Sequence, residues 1–153
     1  MTPDNIYAFL NLAVLPAWAL LLVLPRHRIT QRLIHAIWIP LLLTPLYVWA
    51  LFFGAPEPEG AGFGDLQSLM ILFQSPTAVI AGWVHYLVFD LFIGAWIVRD
   101  AGRHQMHHGI ILPCILGTML FGPVGLAAYL LLRLVLHRRI ELAEEAAPAV
   151  LAG

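Results

Sequence analysis

Two ionisable residues, His85 and Asp90, fall near the middle of a long apolar segment, WVHYLVFDLFIGAWIVRDAG. A charge at the centre of a bilayer costs about 2.5–3.5 kcal/mol on insertion scales, so an ionisable residue in such a segment marks function. An acid kept neutral by apolar surroundings donates a proton well, and a desolvated imidazole stays basic. His85 and Asp90 therefore mark a candidate functional site in the middle of this segment. The alternative is that Asp90 only hydrogen-bonds another helix.

The spacing of His85 and Asp90 separates them on a helix by about 140° around the axis and about 7.5 Å along it. They cannot form a same-face pair, although a long ligand lying along the helix would meet both. Trp83 and Tyr86 share the Asp90 side, whereas Phe89 shares the His85 side. These aromatic rings predict a pocket for a flat or polyene ligand. The alternative is that they serve packing or the membrane interface.

The partner of Asp90 must come from another apolar segment, and Asn11 in the first is preferred. The other polar candidates are Thr44, Tyr47, Thr118 and Tyr129. Arg99 and Asp100 follow the apolar stretch and are expected at the polar end of a ligand. The predicted substrate-binding residues are Asn11, Trp83, Tyr86, Phe89, Arg99 and Asp100.

A histidine cluster, His104, His107 and His108 in HQMHH, resembles one box of membrane di-iron oxygenases. Such enzymes need several boxes, and the remaining histidines are scattered, so histidines that titrate at a membrane surface are the preferred interpretation. A haem held by His35 and His85 is an alternative that rests on residue type alone. No metal and no cofactor is predicted.

The composition indicates an integral membrane protein. The chain has 153 residues with 61% hydrophobic residues and a mean hydropathy of +0.85, which lies outside the range of soluble domains. All eight basic residues are arginines, the net charge is -1 and no basic stripe occurs, so a nucleic-acid partner is not expected. Cys114 is the single cysteine, which excludes an intramolecular disulfide.

Four apolar stretches predict the fold, because each is long enough to cross a hydrocarbon core of about 30 Å and lipid-exposed spans must be helical. They cover residues 6–24, 33–53, 77–98 and 109–136. The prediction is an all-α, integral membrane four-helix bundle forming a single domain over 1–153, with 137–153 as a C-terminal tail. The first stretch follows an acidic N-terminus without a cleavage motif, which favours a mature helix over a signal peptide. Thr30 and Ser75-Pro76 are the predicted helix starts.

The distribution of arginines predicts the topology by the positive-inside rule. Arginines between the first and second spans and between the third and fourth place both termini outside. Arg133, Arg138 and Arg139 oppose this arrangement. The alternative is that Gly122-Pro123 breaks the fourth span and turns it back. The connector over 54–74 begins as a loop, and its part over 63–73 suits either a short interfacial helix or an ordinary loop.

Three segments carry a resemblance: FLNLAVLPAWALLLVLPRHRIT, WVHYLVFDLFIGAWIVRDAG and LPCILGTMLFGPVGLAAYLLLR. In this order and spacing they resemble the abscisic-acid-deficient-4-like family, in a bacterial-type form. The matching residues are Trp83, His85, Asp90, Leu91, Asp100, Pro113, Gly122 and Pro123. Plant members are implicated in neoxanthin synthesis, an isomerisation that opens an epoxide of violaxanthin to an allene.

The resemblance implies a carotenoid or isoprenoid isomerase. Epoxide opening needs an acid for the oxygen and a base for a carbon-bound proton, which Asp90 and His85 would supply. The alternative is a non-catalytic membrane protein that binds or assembles a pigment, a quinone or a partner helix. The expected partners are membrane lipid and a hydrophobic small molecule, a carotenoid or isoprenoid, with a homodimer sharing the site. The expected location is the bacterial inner (cytoplasmic) membrane.

Overall fold

The structure, a computed structural model, describes residues 2–36 and 38–138. Within these ranges the chain forms helices and no strands, which confirms the all-α prediction. The helices are α1 Pro3–Val23, α2 Arg28–Leu33, α3 Trp38–Phe52, α4 Leu66–Leu72, α5 Pro76–Arg103, α6 His108–Phe121 and α7 Pro123–His137. The predicted tail over 137–153 lies almost entirely outside the described residues.

Local sequence explains most helix starts. Pro3 and Pro76 occupy the first turns of α1 and α5, where the missing N–H costs nothing. Asp65 caps α4 by accepting a hydrogen bond from the Ser68 amide at 3.0 Å, so the short helix expected within 63–73 is present.

The prediction for the second span needs correction. Thr30 does not begin it, because Thr30 lies inside α2, buried, and donates a hydrogen bond to the Leu24 carbonyl at 2.6 Å. This bond holds the connection between α1 and α2 in a turn, because it joins Thr30 of α2 to the end of α1. The span starts only with α3 at Trp38, five residues after the predicted boundary.

Helix α5 is the central element, and α1 packs parallel to it. Near the start of both helices the rings of Tyr7 and Trp83 lie 5.3 Å apart. Further along, Trp18 covers Gly94, where a methyl group would lie 2.7 Å from the indole ring. Only glycine therefore lets α1 approach α5 this closely.

Helix α3 runs antiparallel to α5. Near the start of α3, Arg99 of α5 donates a hydrogen bond to His35 Nδ1 at 3.2 Å. Beyond the other end of α3, the Ala55 amide donates to Thr77 Oγ1 at 3.2 Å. The two bonds lie near opposite ends of α5, so α3 and α5 run in opposite directions.

The last two helices, α6 and α7, form an antiparallel hairpin. Gly122 joins them with φ +49°, a backbone conformation that an L side chain rarely adopts. Gly117 lies against Gly125, and a side chain at Gly125 would collide with the backbone of Thr118. Two small residues thus let the helices touch. The predicted continuous span over 109–136 is not formed, and the chain takes the alternative in which Gly122-Pro123 turns it back.

The hairpin brings the described arginines to one end of the molecule, called here the arginine end. Arg133 of α7 reaches the Asp100 carboxylate of α5 at 3.2 Å. His108 at the start of α6 donates to the Leu22 carbonyl near the end of α1 at 2.8 Å. This end carries Arg26, Arg28, Arg32, Arg99, Arg103, Arg133 and Arg138. The opposite end, called the acidic end, carries Asp4, Glu57, Glu59 and Asp65.

Two described helices are long and apolar enough to cross a membrane, Pro3–Val23 and Pro76–Arg103. The apolar helices α3, α6 and α7 are shorter, with 15, 14 and 15 residues. The four-helix membrane bundle is therefore confirmed only as an all-helical fold that contains two helices of sufficient length.

Candidate functional site

Asp90 lies midway along α5, beside the tip of the α6–α7 hairpin. A methyl group on Gly122 would lie 2.9 Å from Oδ1 of Asp90, so the carboxyl group contacts the turn itself. The other oxygen, Oδ2, is buried and has no hydrogen-bond partner. Buried polar atoms are nearly always paired, so an unpaired carboxyl oxygen singles out this position.

Aromatic rings lead from the acidic end to Asp90 along one side of α5. Tyr7 of α1 packs on Trp83 at 5.3 Å, and Trp83 stacks on Tyr86 at 5.1 Å with an interplanar angle of 23°. Tyr86 lies one helical turn before Asp90 and donates a long hydrogen bond of 3.5 Å to the Met119 carbonyl of α6. The three rings form a continuous aromatic surface, called here the aromatic ladder, in which Tyr7 is tilted by 44° from Trp83.

Asn11 holds the aromatic ladder and is not the partner of Asp90. Its Oδ1 accepts a hydrogen bond from Trp83 Nε1 at 3.1 Å, and its Nδ2 donates to the Tyr7 carbonyl at 3.0 Å. The expected pairing with Asp90 is therefore wrong, because Asn11 lies nearly two turns closer to the acidic end.

An open groove of about 530 Å³ runs between α1, α5 and the end of α6. Trp83 and Tyr86 form its floor, and exposed leucines of α1 and α6 form its rim; the lining includes Asn11, Leu12, Leu15, Trp83, Tyr86 and Leu120. This volume lies within the range of small-molecule sites, which combine apolar walls with a few polar groups. Tyr86 and Met119 line the groove, and Asp90 lies one helical turn beyond Tyr86 on α5.

His85 lies on the other side of α5. Its ring stacks on Phe89 at 4.4 Å and lies 6.2 Å from Tyr47 of α3. It lines a separate cavity of about 140 Å³ between α3, α4 and α5. Phe89 is largely exposed on the outer surface. A ligand in the groove would meet Tyr86 but not His85, and Asp90 lines neither the groove nor the His85 cavity. The two predicted catalytic residues therefore do not share one cavity.

Asp100 lies in a buried polar cluster at the arginine end. It accepts a hydrogen bond from the Tyr129 hydroxyl at 2.6 Å and forms an ion pair with Arg133 at 3.2 Å. Arg133 also donates to His104 Nε2, at 3.3 Å from Nε and 3.2 Å from Nη2. Tyr129 is 0%, Arg133 3% and Asp100 5% exposed. We call these four residues the Asp100 cluster; it joins α5 to α7.

Sequence reasoning missed the Asp100 cluster, although its signal was present. Tyr129 was only one of several candidate partners for Asp90, and Arg133 was considered only for the membrane topology. Asp100 and His104 are four residues apart on α5, and Tyr129 and Arg133 are four apart on α7. Residues at this spacing share one helix face, so each helix presents a matched polar pair.

Arg99 takes part in a second polar contact at the arginine end. Its guanidinium donates to His35 Nδ1 at 3.2 Å and lies 6.0 Å from the Phe92 ring. Burial lowers the pKa of His35; the Arg99 charge acts in the same direction, and the hydrogen bond to the Pro25 carbonyl opposes both. His35 is therefore neutral at pH 7 and able to accept from Arg99. Arg99 and Asp100 lie beyond the groove rather than in its lining.

The histidines of the HQMHH segment do not converge on one point. His104 belongs to the Asp100 cluster, His107 caps α6 by accepting from the Gly109 amide, and His108 binds the Leu22 carbonyl. Within the described residues, no three metal-binding side chains gather at one site. His35 pairs with Arg99, which lies about 21 Å along α5 from His85. This separation excludes a haem held between His35 and His85.

The fold and the site together define the class of protein. It is a small all-helical protein with an apolar exterior and a helical hairpin formed by α6 and α7. An acid with one unpaired oxygen, Asp90, lies near an aromatic groove. The chain belongs to the ABA DEFICIENT 4-like (ABA4-like) family, whose model matches residues 5–129. The family expected from the sequence is thereby confirmed. The matched region contains Asp90, the hairpin tip and Tyr129.

One relative is Protein ABA DEFICIENT 4, chloroplastic, of Arabidopsis thaliana, which is 26% identical over 145 residues. The alignment covers 89% of this chain and 64% of the relative, so the chain spans slightly less than two thirds of that protein's length. No solved structure matches the chain.

Proposed function

We propose that this protein is an integral membrane isomerase that binds a carotenoid or related isoprenoid in the groove, with Asp90 as the reacting acid. The observation that carries the proposal is the buried, unpaired Oδ2 of Asp90 one helical turn beyond Tyr86, which lines the aromatic groove. Membership in the ABA DEFICIENT 4-like family, which is related to carotenoid synthesis, supports the substrate class.

The exterior of the fold supports the membrane assignment. Large apolar side chains are exposed on all the long helices, with Phe52 74% and Val135 75% exposed. A soluble monomer rarely exposes extended apolar surface, whereas lipid solvates it. The arginine end would face the cytoplasm or its equivalent by the positive-inside rule. The end of α7 then lies on that side too.

The hairpin geometry suits a site at mid-depth in the bilayer. Helices α6 and α7 are about 21 and 22 Å long, shorter than a hydrocarbon core of about 30 Å, whereas α5 extends about 42 Å. Irregular backbone inside a membrane is tolerated where protein covers it, and Gly122 is buried. The hairpin thus enters the bilayer, turns beside Asp90 and returns to the arginine end.

The groove fits a polyene better than a compact polar ligand. The stacked rings of Trp83 and Tyr86 offer a flat surface, and the polar atoms of Asn11 and Trp83 already satisfy each other. A conjugated chain would lie along this surface with its ring end against Asp90. The remainder would follow the exposed leucines into the lipid.

The chemistry implied by the family resemblance is the opening of a carotenoid epoxide to an allene. The Asp90 carboxyl group donates its proton to the epoxide oxygen while the carbon–oxygen bond breaks. The resulting carboxylate then removes a carbon-bound proton, which forms the allene and restores the acid. An isomerisation exchanges no net proton, so one carboxyl group suffices for both steps. His85 would then be dispensable, in contrast to the expected two-residue mechanism.

The test uses the full chain purified in mild detergent and supplied with violaxanthin. Chromatography measures the appearance of an allenic isomer. Asp90→Asn should abolish turnover while the protein still accumulates, and His85→Gln should retain most of it. Asp65→Asn is the matched control, since Asn preserves the helix cap of α4 far from the groove. Full activity in Asp90→Asn would reject the acid assignment.

The second candidate is a non-catalytic binding or assembly protein for a pigment, a quinone or a partner helix. The absence of both His85 and Asp90 from the groove lining favours it, because no acid–base pair lines the groove. In that case a carotenoid or quinone would purify with the wild-type protein, and no product would form. A homodimer and a bacterial inner-membrane location remain predictions, and the name of the Arabidopsis relative refers that protein to the chloroplast.

A further inference from the structure

A second open cavity, of about 550 Å³, lies at the arginine end, away from the groove. It lies between the loop after α1 and the loop before α6. The first side is formed by residues 23–27 and the second by residues 105–108. Neither the proposed isomerisation nor the Asp100 cluster uses this cavity. We call it the loop cavity.

Two histidines of the loop cavity are held in a defined tautomer. His27 Nδ1 accepts a hydrogen bond from the Ile29 amide at 3.3 Å, and His107 Nδ1 accepts from the Gly109 amide at 3.2 Å. A neutral imidazole that accepts at Nδ1 carries its proton at Nε2. Each ring therefore keeps a free N–H donor at Nε2.

The loop cavity has positive charge and no lining carboxylate. Arg26 contributes a permanent charge, while residues 23–27 and 105–108 include no Asp or Glu. Val23, Leu24 and Met106 add an apolar wall next to these donors. His108 ties the two loops together through the Leu22 carbonyl, so the two sides are held at a fixed separation. Cationic donors beside an apolar wall match a phosphate group that carries an alkyl chain.

We propose that the loop cavity binds a singly charged phosphate group, with Arg26 as the charge partner and His27 and His107 as hydrogen-bond donors. The phosphate diester of an anionic lipid headgroup and free inorganic phosphate share this chemistry. The proposal is independent of the isomerase assignment, because the loop cavity and the groove have no residue in common.

The experiment measures retained lipid by native mass spectrometry of the full chain in detergent with equal amounts of phosphatidylglycerol and phosphatidylcholine. The wild type should retain phosphatidylglycerol selectively. Arg26→Gln should weaken retention about fivefold, the effect of one basic residue at an anionic surface. His107→Asn should also weaken it, because Asn preserves the cap of α6 but removes the imidazole donor. Thermal unfolding confirms that each variant is folded.

Arg32→Gln is the matched control, since Arg32 is an exposed arginine at the same end that does not line the loop cavity. Its retention should equal that of the wild type. An equal loss in Arg32→Gln and Arg26→Gln would mean diffuse attraction and would overturn the proposal, as would equal retention of both lipids. Displacement of the lipid by millimolar inorganic phosphate would support the site with a soluble ligand, and failure to displace it would support the lipid headgroup.

Discussion

Two aspartates of α5, Asp90 and Asp100, differ in the hydrogen-bond and charge partners that surround them. Asp100 is 5% exposed and has a tyrosine hydroxyl, a guanidinium and a histidine within reach. Asp90 lies ten residues earlier on the same helix with one buried oxygen that has no hydrogen-bond partner. The same residue type thus occupies a fully satisfied site and an incompletely satisfied one.

The comparison distinguishes the structural charge of Asp100 from Asp90, the acid that we propose to react. At Asp100 the partners come from both α5 and α7, so the buried charges compensate one another and fix how the hairpin packs. At Asp90 the neighbouring hairpin tip supplies a buried glycine without a side chain to pair with it. Oδ2 of Asp90 has no hydrogen-bond partner, whereas the two oxygens of Asp100 together have three partners, Tyr129, Arg133 and His104. Substitutions should therefore affect stability at Asp100 and activity at Asp90.

The largest effect is expected at Asp100. Asp100→Ala leaves Arg133 buried without its counter-charge, which should lower the free energy of unfolding by about 3–5 kcal/mol. Thermal or denaturant unfolding in detergent measures the loss. The double variant Asp100→Leu, Arg133→Met should recover most of it, because apolar replacements leave no unpaired charge. A loss below about 1 kcal/mol in the single variant would show that the cluster is not structural.

An intermediate effect is expected at the hairpin tip. Gly122→Ala introduces a methyl group at φ +49° and 2.9 Å from the Asp90 carboxyl group, which should cost about 1–3 kcal/mol of stability. In the double variant with Asp90→Ala, the loss of stability that comes from the steric clash should disappear, and the loss that comes from the backbone conformation should remain. The effects of the two changes on stability should therefore not be additive. Gly102→Ala is the control, since that position has open space and the change should be neutral or stabilising. Strict additivity would argue that the tip does not contact Asp90.

The smallest effect on stability is expected for Asp90→Asn. The variant keeps the shape of the side chain and removes no hydrogen bond from Oδ2, so stability should change by less than about 1 kcal/mol. The same unfolding assay, run beside Asp100→Asn, provides the comparison. A loss as large as that of Asp100→Asn would indicate that Asp90 is structural and would remove the distinction between the two sites.

The sequence predicted what depends on local pattern. The start of α5 at Pro76, the placement of Asp90 and His85 on different sides and the family could all be predicted, because proline position, helical periodicity and motif order are local signals. The predicted chemistry at these two residues stays a prediction.

The sequence did not predict which residues on different helices meet. Asn11 was the preferred partner of Asp90 and instead binds Trp83, and Tyr129, another candidate partner, instead binds Asp100. These pairings depend on the register of α7 against α6 and of α1 against α5, where Gly125 and Gly94 allow close packing. Such registers are three-dimensional and leave no periodic trace in one sequence.

The open side of the groove determines how a ligand would reach it. Leu12, Leu15 and Leu120 form a rim that is exposed and apolar. In a bilayer, a substrate would enter sideways from the lipid and its product would leave by the same route. Saturation would then depend on the mole fraction of substrate among the lipids rather than on its bulk concentration. Diluting the membrane with inert lipid should slow the reaction even at constant total substrate.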